Sequence, residues 1–222
     1  MVGRIQRLDF SGSSNIGAFC KVTEKCLLKP GSTAPTQKAL EDLFEMSTIK
    51  TTIGHSTLIG ILAAGNSNGL LVPHLIFDEE LDALREALDL SVTPLESKLT
   101  ALGNLILAND HAALISPEFS NREIQVIRDT LDVEIEKRTL AESPLVGSYC
   151  VVTNSGLLAH TEVTEEELEG LAEFFKVNVD IGTINCGIPY VSIGLLATSQ
   201  AAAAGFETTG PELMRISETL FG

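Results

Sequence analysis

The sequence predicts an α/β protein made of five like units, closed into a ring by its own N-terminal strand. Three observations predict it. An apolar residue followed by glycine recurs as Ile16-Gly17, Ile59-Gly60, Leu102-Gly103, Val146-Gly147 and Ile193-Gly194, with successive glycines 43, 43, 44 and 47 residues apart. Regular spacing of this size marks a repeat architecture. Behind each pair the same order returns: a short apolar run, a polar turn, a second apolar run and an amphipathic helix. The fifth unit then ends at Gly222 without a last strand, while a spare strand, Ile5 to Phe10, stands at the start of the chain.

Each element has its own signal. The first strand of each unit is read at Ala18-Phe19-Cys20, Ile61-Leu62-Ala63, Leu105-Ile106-Leu107, Tyr149-Cys150-Val151-Val152 and Leu195-Leu196-Ala197. Turns follow at Thr23-Glu24-Lys25, Asn66-Ser67-Asn68-Gly69, Asn109-Asp110-His111, Asn154-Ser155-Gly156 and Gln200-Ala201-Ala202. Asn and Gly suit them because both tolerate positive φ. The second strands, Leu27-Leu28, Leu70-Leu71, Ala113-Leu114-Ile115, Leu157-Leu158 and Phe206, have few charges nearby and read as buried on both faces.

The helices carry apolar residues three, four and seven apart: Leu40/Leu43, Leu81/Leu84/Leu88, Ile124/Ile127/Leu131, Leu168/Leu171/Phe175 and Leu213/Ile216/Leu220. Thr36, Ser120, Thr164 and Thr209 stand at the N-cap place, and Asp78 takes that role in the second unit. Ser120…Glu123, Thr164…Glu167 and Thr209…Glu212 have the capping-box form. A third strand of period two follows at Ile49-x-Thr51-x-Ile53, Val133-x-Ile135 and Val177-x-Val179-x-Ile181, and weakly at Val92-x-Pro94. The units fall at approximately 11–53, 54–95, 96–139, 140–183 and 184–222 plus strand 5–10, within one domain. Ring closure removes exposed edges, whereas an open array would want polar capping repeats at both ends, and none is seen.

Composition narrows the class. The 222 residues are 44% apolar, enough for a large core, and Trp is absent, so that core rests on Leu, Ile, Val and Ala. A formal charge of −15 argues against nucleic-acid binding by net field, which needs Lys and Arg to displace counterions. It suits either solubility or a basic partner. The N-terminus lacks an apolar signal segment and no run approaches a membrane span, so a soluble cytoplasmic protein is expected.

The segments Gly65-Asn66-Ser67-Asn68-Gly69-Leu70-Leu71-Val72-Pro73, Leu99-Thr100-Ala101-Leu102-Gly103-Asn104, Leu145-Val146-Gly147-Ser148-Tyr149-Cys150-Val151 and Gly182-Thr183-Ile184-Asn185, with the ending Thr208-Thr209…Glu212-Leu213, resemble archaeal and eukaryotic translation initiation factor 6. The resemblance runs from about Ile16 to Phe221. It implies the pentein fold, a five-bladed α/β propeller with fivefold pseudosymmetry. It also implies a ribosome anti-association factor that binds the intersubunit face of the large ribosomal subunit, with a part in its maturation. The implied contacts are ribosomal protein uL14, the vicinity of the sarcin–ricin loop and, where present, eL24. The resemblance implies no cofactor and no catalysis, and a monomer is expected. The chain stops just after its fifth helix, so the regulatory tail of eukaryotic members is not carried over.

The pentein fold also hosts guanidine-modifying enzymes with a Cys nucleophile, which is the competing reading. Cys20 and Cys150 lie in apolar runs, Cys26 opens one, and buried reduced thiols are expected. Cys186 is the only nucleophile candidate, with no His near it in sequence. His55, His74, His111 and His160 are scattered at turns and strand edges and read as surface or cap residues rather than metal ligands.

Asn66, Asn109 and Asn154 are read at equivalent turn positions, either for turn geometry or as polar loops offered to a partner. Asn104 is polar at a mostly apolar position, where the other units have Ala18, Ile61, Ser148 and Leu195, and the resemblance places Leu102-Gly103-Asn104 close to the subunit-binding surface. Ile61 stands where eukaryotic members carry a basic residue. The candidate ribosome-binding set is therefore Asn104, Ile61, Gly103, Asn66, Asn109, Ser148, Asn154 and Asn185.

Overall fold

The computed structural model describes residues 3–222, and Met1 and Val2 of the N-terminal segment lie outside it. It is a mixed α/β structure with five three-stranded sheets. A strand β1 (Arg4–Leu8) comes first. The first unit has α1 (Ile16–Phe19), β2 (Lys21–Val22), β3 (Leu27–Lys29), α2 (Ala34–Phe44) and β4 (Thr48–Lys50). The second has α3 (Ile59–Leu62), β5 (Ala64–Gly65), β6 (Gly69–Pro73), α4 (Asp78–Ala87) and β7 (Ser91–Leu95). The third has α5 (Leu102–Leu105), β8 (Ile106–Ala108), β9 (Ala112–Ile115), α6 (Asn121–Leu131) and β10 (Glu134–Lys137). The fourth has α7 (Val146–Tyr149), β11 (Cys150–Val152), β12 (Gly156–Ala159), α8 (Glu165–Phe175) and β13 (Asn178–Ile181). The fifth has a 3₁₀ turn (Val191–Ile193), β14 (Leu195–Ala197), β15 (Ala201–Gly205) and α9 (Gly210–Phe221).

In every unit the first strand runs antiparallel to the middle one and the third runs parallel to it; in the first four units the third strand is reached through the long helix. The N-terminal strand supplies the third strand of the fifth sheet: β1 pairs in parallel with β15, Arg4 opposite Ala201 through Leu8 opposite Gly205. All five middle strands are buried along their whole length, because a long helix covers one face and a neighbouring unit the other.

The core is divided into five clusters, each shared by neighbouring units. Ala64 and Leu71 of the second unit pack with Leu102, Ile115 and Ile127 of the third. Leu196 and Ala203 of the fifth pack with Phe10, Ile16 and Leu27 near the first. Each buried Leu or Ile contributes roughly 1.5–3 kcal/mol, so a unit that lost its neighbours would lose much of its stability.

The recurring glycine has a packing cause. A Cβ on Gly60 would fall 1.8 Å from the carbonyl oxygen of Gly17, and one on Gly103 would fall 2.0 Å from that of Gly60. Neighbouring short helices thus meet backbone to backbone. The series continues to Gly147 and then to the 3₁₀ turn, which touches both α7 and α1. There Ser192, not Gly194, is the counterpart: its carbonyl oxygen lies against Gly17 and its Oγ donates to the Ser148 carbonyl at 3.1 Å. The residue aligned with Asn104 is accordingly Ile193, not Leu195.

Other expectations are corrected. Ala18-Phe19-Cys20 and Ile61-Leu62-Ala63 belong to short helices and their caps, and the first strands begin after them. Four-residue helices are too short for periodicity to separate from a strand. The fifth middle strand is the run Ala201–Gly205, while Phe206 is exposed beyond it and the turn is Ser199-Gln200. The third strand of the second unit is long, with Pro94 tolerated on a sheet-edge strand. The third strand of the first unit stops at Lys50, short of Thr51 and Ile53.

Helix α2 is capped by Thr33, whose side chain accepts the Thr36 N–H, so Thr36 lies inside the helix. In α4 the cap position is Phe77, not Asp78, and Glu80 Oε2 accepts the Phe77 N–H at 3.1 Å. The capping boxes at Ser120 and Thr164 are complete. At Thr209 the Glu212 half is present, with the Thr209 N–H donating at 2.7 Å.

Candidate binding face

The strand directions give each unit two ends. Short helices start the first strands at one end, and polar turns join first to middle strands at the other. Middle and third strands both return to the short-helix end, so the loops that leave them gather there. That loop end carries six of the seven exposed large hydrophobic side chains of the described residues: Leu58, Leu75, Phe77, Leu145, Tyr190 and Phe206. The seventh, Met214, lies on α9. Tyr190 stands edge-on to Tyr149 at 5.5 Å and to His160 at 5.0 Å, and Tyr149 and His160 stack at 4.2 Å. His160 is buried, contrary to the surface reading. Burial pushes its imidazole below the usual range, opposed by Glu162, and its Nδ1 accepts the Glu162 N–H.

The turn end is knitted together. Its turns do not use positive φ at Asn or Gly. The side-chain oxygen of the leading residue takes the N–H groups two and three positions on instead. Asn66 Oδ1 holds Asn68 and Gly69, and Asn109 Oδ1 holds His111 and Ala112. Thr23, Thr153 and Thr198 do the same. Asn154 therefore aligns with Ser67 and Asp110 rather than with Asn66 and Asn109.

Those next residues reach across to the following unit. The Ser67 N–H donates to Asp110, the Asp110 N–H to Asn154, the Asn154 N–H to Ser199, and the Ser199 N–H to Glu24, at 2.8, 3.0, 3.1 and 2.8 Å. The buried Asn66 amide donates to the carbonyls of Asn109 and Leu131, and that of Asn109 to Thr153. Burial would raise the Asp110 carboxyl, but donors on Asn154 and Ser67 hold it below its ordinary value.

Between the two ends runs an axial cavity of about 330 Å³, with residues of all five units in its wall. Of the candidate set, Ile61, Gly103, Asn104 and Ser148 line it at the loop end, and Asn66, Asn109 and Asn154 at the turn end. Asn185 is not in its wall. It is buried, and its Nδ2 donates to the Ser14 carbonyl at 2.9 Å while its Oδ1 accepts the Thr208 hydroxyl.

The thiols divide three to one. Burial pushes the Cys20 thiol up to about 12 and raises those of Cys26 and Cys150. Cys186 is exposed, which corrects the expectation of four buried thiols. It lies off the cavity with φ at 63°, its N–H donating to Glu212, and no base hydrogen-bonds its sulfur among the described residues. Among the described residues no group of three or more His, Cys, Asp or Glu is placed to hold a metal ion, and no helix is long and apolar enough to cross a membrane.

Leu58, Leu145 and Tyr190 were missed as candidates. Leu58 and Leu145 immediately precede the apolar-glycine pairs, where the first and third units have Asn15 and Ala101. An apolar side chain at a position that is elsewhere small or polar was the available signal.

Comparison with known proteins bears on what such a face does. The family model for the eIF-6 family matches residues 5–219. The chain is 42% identical over 222 residues to Translation initiation factor 6 of Pyrococcus horikoshii, an alignment covering 97% of this chain and 98% of that protein. It is 42% identical over 222 residues to the protein of that name from Pyrococcus abyssi, with the same coverage. It is 43% identical over 223 residues to that of Methanocaldococcus jannaschii, covering 97% of each.

Proposed function

This chain belongs to the eIF-6 family, that of translation initiation factor 6, and from that premise we propose that it docks on the intersubunit face of the large ribosomal subunit and keeps the small subunit from joining. It acts as one domain, a pentein ring of five blades, without catalysis or cofactor. A rigid body placed on the joining surface is sufficient for steric exclusion.

The observation that carries this reading is the loop end. Large apolar side chains gathered on one surface mark an interaction site, and aromatic residues such as Tyr190 suit its centre. Ile61, Gly103, Asn104 and Ser148 lie at the same end and make the contacts. Asn66, Asn109, Asn154 and Asn185 act by holding the shape of the ring, since their amides are already bonded. The net charge of −15 complements a basic partner, here the protein uL14 beside the sarcin–ricin loop, with eL24 where present. Such complementarity speeds docking and weakens as salt rises. The setting is the cytoplasm, during initiation and subunit maturation.

Sedimentation of purified subunits tests the proposal. The protein is expected to travel with large subunits and to reduce the fraction of joined ribosomes. A protein that stays at the top of the gradient and leaves joining unchanged overturns it.

A further inference from the structure

Lys21 is out of place. It lies on β2, where the corresponding residues of the other units are Ala64, Leu107, Val151 and Leu196, all apolar. No carboxylate pairs with its ammonium and no acceptor bonds it among the described residues. Yet no fully enclosed side-chain nitrogen or oxygen of those residues lacks a partner, so the Lys21 ammonium must face open volume. That volume is the axial cavity, whose wall includes Lys21. Partial burial pushes the amine below its usual range, with Cys26 opposing.

The surroundings leave this charge available. Neither of the two acids on the same wall pairs with Lys21; both take hydrogen bonds from neutral groups, which hold them in place without cancelling a carboxylate's charge. Glu24 accepts from the Ser199 N–H and hydroxyl, and Asp110 from Ser67 and Asn154. The chain of bonds that links neighbouring units at the turn end is also incomplete on this side. It runs from the second unit round to Glu24 of the first, and among the described residues no bond carries it on from the Glu24 N–H to Ser67. Lys21 therefore stands beside the least bonded of the five junctions. Lys21 is half-buried, and a partly desolvated ammonium without a counter-ion is less stable than one with it, so a ligand of opposite charge would relieve that cost.

We propose that the axial cavity is a binding site for a small oxyanion, phosphate or a compact carboxylate, held by the Lys21 ammonium. The Asn104 amide, whose side chain has no partner among the described residues, supplies a further donor on the same wall. A cavity of about 330 Å³ admits such an ion with room for water. Lys21 itself is no part of the exposed apolar face, whereas Asn104 is shared with the face proposed to dock, so the test of the site rests on Lys21.

The probe is inorganic phosphate, titrated into the full chain at constant ionic strength against chloride, and followed by thermal unfolding and by calorimetry. The expected result is saturable heat and a rise in Tm of about 3 °C or more at tenfold excess over Kd. Lys21→Met fits a position that is apolar in the other units, so it should fold, and it should lose both signals. Lys21→Arg should keep them. Phosphate also stabilises proteins generally by exclusion from their surface, but that rise is unsaturable and would persist in Lys21→Met. Absence of saturable heat in the parent protein, or its survival in Lys21→Met, overturns the proposal.

Discussion

The two ends of the molecule solve different problems with the same repeat. At the turn end, side chains are spent on the protein itself: buried amides of Asn66 and Asn109 bond a neighbour's backbone, and Asp110 joins three successive units. At the loop end, apolar side chains are left facing water. Leu145 and Asn154 are nine residues apart, yet one is exposed apolar surface and the other is a cross-link. Fivefold repetition fixes the backbone at both ends, so single side chains decide which end holds and which end is offered.

The difference can be pushed from either side. The largest effect is expected at the turn end. Asn66→Ala removes the side-chain donor to the Asn109 carbonyl, one of the two donors to the Leu131 carbonyl, and the acceptor of two N–H groups, and should lower stability by roughly 2–4 kcal/mol, read by chemical denaturation, while leaving subunit binding intact after correction for the folded fraction. A loss of binding with unchanged stability would erase the distinction between the ends. Next comes Leu145→Glu at the loop end. It should weaken co-sedimentation with large subunits about tenfold or more, some 1.4 kcal/mol, with unfolding within about 0.5 kcal/mol of the parent.

The smallest effect concerns pH. Burial alone would raise Glu80, Glu123 and Glu212, but hydrogen bonds from caps and loops hold each below its ordinary value. A carboxylate depressed in the folded state contributes stability that is present above its unfolded pKa and lost as pH falls through its folded value. Glu212→Gln, which disturbs the bonds to Thr183, Cys186, Gly187 and Thr209, should therefore cost about 1 kcal/mol at neutral pH. Parent and variant should converge in acid. A difference that is unchanged at pH below the carboxylate range would refute this account of Glu212.

Much of this was legible in the chain. Helices such as 121–131 declared themselves through Ile124, Ile127 and Leu131, and the spare N-terminal strand pointed to its place beside the last unit. What stayed hidden depends on contacts between units. Gly60 recurs because another backbone lies against it, which spacing cannot reveal. Ile59-Gly60-Ile61-Leu62 has the composition of a strand and folds as a helical turn. Ala201 to Ala204 lack the bulk that marks a buried strand. At the candidate face, Asn104 and Ile61 could be named from the repeat, but the apolar surface could not. It draws Leu58, Leu145, Tyr190 and Phe206 from four separate loops.

The pairing of Arg4–Leu8 with Ala201–Gly205 also sets an order of events during synthesis. Residues 4–8 leave the ribosome well before residues 201–205 and wait for them while all the intervening chain is made. Until then a nascent chain carries an uncovered strand edge of the kind that invites mispairing. Contacts so distant along the chain also slow folding. Deleting residues 4–8 would therefore leave the finished molecule permanently at the stage its own nascent form passes through.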